Sequence, residues 1–349
     1  MKILLIGQGI SGTWLSYWLL KQGANVVVMD RADPNTSSRI ASGVINPVTG
    51  RQVATTWMAE TLLPFSESAY GEMGDSLKQR FIHNTGILAF PPSEQMVQGY
   101  EKKMACNPSY VQRVYDMDAL SAFFHFSFGA VHINPVYCIN LPALLPTWRA
   151  FLENSGRLRY EVFDPENLVM SDTGVRYQDE FFDVVVYCEG PAAFSGNIWQ
   201  GLPYSFMKGE AVIAEIPGLP GGQIYKFGIT TLVPWINGQW WLGSTYDNSF
   251  ADALPTAAFR QRMEYFLQST LKLPYTITGH LAAVRPASLD RRPFVGRHPN
   301  MPALAIFNGM GTKGVSLAPW FGKQLAEHLI TGAPLDPMVD ISRFKRAFE

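Results

Sequence analysis

The sequence predicts an α/β fold in which a Rossmann-type domain is interleaved with an α+β domain built on an antiparallel sheet. Three observations carry this. Residues 2–30, KILLIGQGISGTWLSYWLLKQGANVVVMD, read as strand, glycine turn, helix and strand, ending on an acidic residue. Residues 208–245 change to short strands, with Asn237-Gly238 between two of them, a strong hairpin signal. Residues 302–329 repeat the opening pattern in part: an apolar strand, a glycine-rich turn and a helix with Leu317, Phe321, Leu325 and Leu329 in one stripe. A chain of 349 residues exceeds the usual single core, so two domains are expected.

The opening stretch has the context that a dinucleotide fingerprint needs. Gly7 makes the tight turn, Gly9 lets the backbone approach a pyrophosphate, and Gly12 lets the helix pack on the strand. Ile10, Ser11 and Gly12 open the helix, whose free N–H groups and positive dipole end favour a diphosphate. Asp30 lies eighteen residues beyond Gly12, where a carboxylate accepts from a ribose hydroxyl. The fingerprint alone does not separate NAD from FAD.

Composition excludes several classes. A formal net charge of −1 gives no global field to recruit nucleic acid or anionic membrane. Cys106, Cys138 and Cys188 have no CxxC spacing, which argues against a disulfide framework or zinc site and fits a reducing compartment. His125 and His132 are not at metal-ligand spacing, so no metal is expected. Residues 1–20 are broken by Gly-Gln-Gly and lack a small-residue cleavage site, unlike a signal peptide. No apolar run reaches membrane-span length. A cytoplasmic protein is expected.

Between these landmarks, residues 34–38 read as a loop and residues 55–70, 93–104, 117–124, 141–153 and 256–271 as helices. Residues 81–90, FIHNTGILAF, read as two short strands around a turn at 84–86. Residues 129–134 are strand-like, and residues 158–163 and 184–188 read as strands rejoining the first sheet.

In this order, GQGISG with Asp30, SSRIASGVINP, FDVVVYCEG, KGE, LVPWINGQWWLGST, RPASLDRRPFVG and NGMGTKGVSLAP resemble the FAD-dependent D-amino-acid oxidase superfamily, in particular its glycine oxidase and sarcosine oxidase branch. The resemblance implies non-covalent FAD, with an FAD-binding domain over residues 1–50, 138–200 and 280–349 and a substrate domain over 51–137 and 201–279. It implies that Gly7, Gly9, Ile10, Ser11 and Gly12 hold the pyrophosphate, and that Asp30 with Arg31 addresses the ribose. Ser37, Ser38, Ser42, Gly43 and Val44 match a loop over the cofactor, Val162 a contact to adenine, and Gly190 the end of the A-x-G strand. Met310, Gly311, Thr312, Lys313, Gly314, Val315 and Ser316 match the loop against the flavin ring.

Arg285 matches the arginine that binds the substrate carboxylate, a role suited to a guanidinium fork; the competing role is an ion pair with Asp290. Thr231 stands where the family often has a substrate-binding tyrosine, which puts simple glycine in doubt; Tyr225, Tyr246 or Trp235 could compensate. Lys313 has two open roles, a positive charge beside the flavin or a solvated side chain; for Lys226 a surface role is expected over an approach to the flavin that would aid oxygen reduction. The implied reaction is oxidation of a small primary or secondary amine, of the glycine, N-substituted glycine or D-amino-acid type. Hydride passes to flavin N5 and the imine is hydrolysed. Oxygen or another carrier takes the electrons. The C-terminal half also resembles the oxidase domain of the bifunctional tRNA wobble-uridine enzyme, so removal of a carboxymethyl group from a tRNA uridine is one alternative. A non-catalytic flavin-binding protein is another.

Overall fold

The computed structural model describes residues 1–50 and 52–348. The chain divides into two units and crosses between them four times. The first comprises Met1–Ala41, Leu141–Met207 and Val284–Glu349; the second, Ser42–Asn140 and Lys208–Ala283.

The first unit is built on a six-stranded sheet. Its order is Phe294–Arg297, Leu304–Asn308, Val184–Tyr187, Lys2–Ile6, Asn25–Met29 and Leu158–Arg159. All neighbours are parallel except the Phe294–Arg297 edge. Ile3, Leu4 and Leu5 are wholly buried, as continuous apolar runs in a parallel sheet covered on both faces must be. The helices Ile10–Lys21 and Gly314–Thr331 lie side by side. Trp18 Nε1 donates to the Pro319 carbonyl at 2.9 Å. Leu317, Phe321, Leu325 and Leu329 are buried, forming the expected stripe.

Two readings of this unit need correction. The strand foreseen over 158–163 pairs only at Leu158 and Arg159. Its partner ends at Met29, so residues beyond have nothing to bond, and Val162 is 73% exposed. The region that follows holds a three-stranded antiparallel sheet that the periodicity did not indicate: Leu168–Ser171, Gly174–Tyr177 and Glu180–Phe182. Its Val175, Tyr177 and Phe182 join the core of the first unit.

The second unit is a nine-stranded sheet, ordered Thr276–Ser288, Tyr204–Glu215, Trp240–Gly243, Thr230–Pro234, Gln223–Phe227, Ile82–Phe90, Val131–Ile139 and Val44–Ile45. Val111–Arg113 also pairs with Val131–Ile139. The two outer strands Thr276–Ser288 and Tyr204–Glu215 run on past the unit boundary. Asn237 and Gly238 both take positive φ, 55° and 73°, and join Thr230–Pro234 to Trp240–Gly243 in the expected hairpin. One face packs Phe259, Met263 and Leu267 of the Ala257–Thr270 helix against Leu232 and Leu242.

Residues 81–90 form one strand, not two. The register shifts between Thr85 and Ile87, a bulge in place of a turn. A Cβ on Gly86 would lie 2.0 Å from His132 Nε2 and 2.6 Å from Gln223 Nε2, so the glycine admits side chains from both neighbouring strands. The first long helix of this unit is also displaced, spanning Ala59–Leu77.

Among the described residues no helix is long and apolar enough to cross a membrane. Leu325 is fully buried in the Gly314–Thr331 helix. Leu325→Ala is expected to cost about 2–5 kcal/mol, read as a lower denaturant midpoint; an unchanged midpoint would contradict this packing.

Candidate cofactor and active site

The Lys2–Ile6 strand has Asn25–Met29 on one side and Val184–Tyr187 on the other. The chain therefore leaves it in one direction and returns on the opposite side. This reversal opens a crevice at the carboxyl ends of the strands, where open α/β sheets bind ligands. Gly7 sits at that point, with its N–H donated to Met29 O at 2.7 Å, while Cys188 N–H donates to Ile6 O at 2.8 Å.

The glycines are required by contact. Gly7 has φ +100°, and its Cβ would lie 2.7 Å from Cys188 O. A Cβ on Gly12 would lie 1.9 Å from Gly7 O, and one on Gly9 3.0 Å from Ser38 Oγ. Ile10 N–H donates to Ser38 Oγ at 3.0 Å. The N–H groups of Ser11 and Gly12 have no partner among the described residues, and the first turn has no acidic side chain. A bare backbone surface with unpaired donors at a positive helix end suits an anionic diphosphate.

A second helix start lies beside the first. A Cβ on Gly314 would lie 3.1 Å from Ile10 Cγ2. The preceding turn has Gly309 and Gly311 at positive φ. It is tied by Gly311 N–H to Pro286 O at 2.8 Å and by pairing of Met310 with Ala287. Ser316 Oγ donates to Lys313 O at 3.1 Å, and Thr312 is exposed. Lys313 is half-buried; burial, with the Arg292 guanidinium, lowers its pKa to about 8.

A sequence model of FAD-dependent oxidoreductases (DAO) matches residues 2–328. The chain belongs to this family. It is an FAD-dependent oxidoreductase. It is 24% identical over 366 residues to a glycine oxidase of Pseudomonas putida, covering 97% of this chain and 96% of that protein. It is 22% identical over 373 residues to the oxidoreductase YurR of Bacillus subtilis, covering 96% and 98%. Among solved structures, iminodiacetate oxidase from Chelativorans sp. BNC1 superposes with a TM-score of 0.78 at 21% identity, covering 98% of each chain. Glycine oxidase from Geobacillus kaustophilus gives 0.76 at 18%, covering 98% and 97%.

In this FAD-dependent oxidoreductase, Asp30 directly follows the second strand, and its surroundings are rich in donors. Its carboxylate accepts from Gln8 N–H at 2.7 Å, from Ala32 N–H at 2.8 Å and from the Arg149 guanidinium. Burial works against the charge; the Gln8 N–H and Arg149 outweigh it and hold the pKa below the usual range. Three acceptor positions are thereby used, and a carboxylate has about four, leaving one for a ribose hydroxyl. Arg149 Nε also donates to Gln8 Oε1 at 3.0 Å, and Gln8 Nε2 donates to Thr13 Oγ1 at 2.9 Å. Arg31 is exposed and pairs with Asp33 at 2.8 Å.

Sequence reasoning missed both Gln8 and Arg149. Gln8 is a variable position of the motif, and Arg149 is a lone cation beside Trp148 in an apolar helix face. It missed Glu189 as well. That residue immediately follows Cys188, with its Cα 3.1 Å from the Cβ position of Gly7. Burial pushes its carboxyl up to about 7, against the pull of Arg31. Gly190 comes next with φ +62°, its carbonyl accepting from Asn308 Nδ2 at 2.8 Å.

Other expected site residues fall elsewhere. Ser37 and Ser38 lie on a short helix, Ser37–Ile40, rather than a loop. Val162 lies beyond its strand and exposed. Ser42, Gly43 and Val44 belong to the second unit. Gly43 is explained there by the sheet, since its Cβ would lie 2.1 Å from Ile139 O. Thr231 pairs across the strand with Lys226, and both are half-buried. Ala89 and Gly243 flank them in the same row. Lys226 is not a surface lysine: burial lowers its pKa, and it has no ion-pair partner among the described residues.

Gly12→Ala would drive a methyl group into the Gly7 carbonyl. The purified variant is expected to carry little flavin absorbance while its far-ultraviolet circular dichroism persists. Gly9→Ala, facing only a serine hydroxyl, should lose less. Full flavin occupancy in Gly12→Ala would contradict the cradle.

Proposed function

We propose that this FAD-dependent oxidoreductase oxidises the amine of a small amino acid, of the glycine, N-substituted glycine or D-amino-acid type, with Arg285 holding the substrate carboxylate. One observation carries this reading. Arg285 immediately precedes Pro286, whose carbonyl accepts from Gly311 N–H at 2.8 Å. The arginine is thus tied by the main chain to the loop expected against the flavin ring. It is half-buried, and Asp290, the competing partner in the sequence reading, pairs with Arg343 Nε at 3.0 Å. The glycine and iminodiacetate oxidases among the similar proteins support an amine bearing a carboxylate.

Bound FAD supplies the hydride acceptor. The chain's own share is orientation and charge. The Arg285 fork would fix the carboxylate and so present the carbon beside the amine. The start of the Gly314–Thr331 helix and the Lys313 ammonium would stabilise negative charge developing on the ring. No side-chain acid or base is needed when the amine reacts in its neutral form.

The first test is anaerobic bleaching of the flavin band by a panel of glycine, N-methylglycine, D-amino acids and iminodiacetate. Arg285→Ala should weaken the reacting substrate by about 1.5–3 kcal/mol, roughly 10- to 150-fold in apparent affinity, with FAD retained. Unchanged affinity would sink the carboxylate assignment.

Lys313 gives a pH-dependent test. A unit charge within about 6–10 Å is worth about 2–3 kcal/mol at an effective dielectric constant of 20, or roughly 40–60 mV for a two-electron couple. Lys313→Met should lower the potential of the bound flavin by that order at pH 7. Because the lysine pKa is lowered to about 8, its cation is present below that pH and lost above it. The gap between the two proteins should therefore narrow as pH rises past 8. Equal potentials at pH 7 would show that Lys313 is only solvated.

A further inference from the structure

We propose that Glu189 makes cofactor retention proton-linked: the flavin dinucleotide binds the form of the protein in which the Glu189 carboxyl is neutral and donates its O–H, so that binding takes up a proton and weakens as pH rises. Tyr187 pairs in register with Ile6, so Glu189 lies two residues further on, at the level of Gln8, at the mouth of the crevice where the strand order reverses. Its Cα is 3.1 Å from the Cβ position of Gly7. The residue thus stands beside the glycine turn, and that turn leads into the unpaired N–H groups of Ser11 and Gly12, which form a surface for an anion.

Its partners, or their absence, give the second step. Among the described residues Glu189 has no hydrogen-bond or ion-pair partner, in contrast to Asp30, beyond the strand on the other side of Lys2–Ile6, which is engaged by Gln8, Ala32 and Arg149. The charged groups that face Glu189 are few. Arg31, from the loop after Met29, favours its anion but is itself paired with Asp33. On its own segment, Tyr187 and Cys188 are held neutral by burial, reinforced by the Glu189 charge. Burial already sets the carboxyl near 7 without ligand, and an arriving diphosphate raises it further by like-charge repulsion. Ionised, the group only accepts hydrogen bonds; protonated, it donates one, which is what a phosphate oxygen needs.

The sign of the linkage follows. A carboxyl whose pKa is higher in the complex than in the free protein favours binding fully below the free value, and that contribution is lost as pH rises above it. Between the two values the dissociation constant rises by up to tenfold per pH unit. The full chain stripped of FAD and titrated with FAD at pH 6 to 9 provides the test, read by flavin fluorescence. Calorimetry at pH 7.5 in two buffers of different ionisation enthalpy counts the protons and requires no variant. The expected result is proton uptake by the wild-type chain, with Glu189→Gln binding as tightly as the wild type at pH 6, declining less than the wild type as pH rises, and taking up fewer protons. Any slope from Lys313 is common to both proteins and cancels in the comparison. No uptake by the wild type would overturn the proposal. So would uptake and slope unchanged in Glu189→Gln, or a Glu189→Gln chain that binds FAD at none of these pH values, since the ionised carboxylate would then be the form required.

Discussion

The close approach of Gly12 to Gly7 governs the first unit. With only 1.9 Å between the carbonyl oxygen of Gly7 and the place a Cβ would occupy on Gly12, no other residue lets the helix start over the strand end. That approach aims the unpaired N–H groups of the first helical turn into the crevice. It also sets the position of Ile10, whose methyl group meets Gly314 at the start of the last helix. Two positive helix ends are thereby gathered at one edge of the sheet through a single packing constraint, and the tryptophans behind them lock the arrangement, with Trp18 bonded across to Pro319.

Charge is graded along this edge. Asp30 is half-buried yet ionised, because main-chain N–H groups and the Arg149 guanidinium surround it. Glu189 is half-buried with no such donors, and its carboxyl is pushed up to about 7. Lys313, desolvated and near Arg292, has its pKa lowered to about 8, so it keeps its proton below that pH. The three groups follow strands of one sheet and differ in the charges and hydrogen-bond donors around them, the circumstance in which perturbed pKa values point to candidate functional sites.

Much of this was legible in the sequence. The cradle glycines are required for local reasons, so their spacing and the strands around them are sufficient to read them. The hairpin at Asn237-Gly238 is likewise encoded in two residues that tolerate positive φ. What could not be read depends on partners distant in the chain. Gly86 resembles a turn glycine until His132 and Gln223 are seen folded over it. The strand at 158–163 is apolar enough to continue, but it stops because its neighbour leaves the sheet at Met29. Arg149 lies 119 residues from Asp30, and nothing in a helix with a lone arginine declares that distant carboxylate. Lys226 reads as surface because its burial is imposed by the strands on either side.

The placement of Arg285 follows a different logic from that of the cradle. Its neighbour Pro286 is joined to Gly311 by a main-chain bond, and Ala287 pairs with Met310. These bonds use no side-chain atom of residue 285. The backbone there is registered to the glycine-rich turn by main-chain atoms, while the helix that follows is held by its own buried stripe. Guanidinium chemistry and cofactor architecture are therefore separable at this position, whereas at Gly12 they are not: a side chain there enters the carbonyl that shapes the crevice. On the proposed reading, residues around the turn can be exchanged without disturbing the glycine cradle.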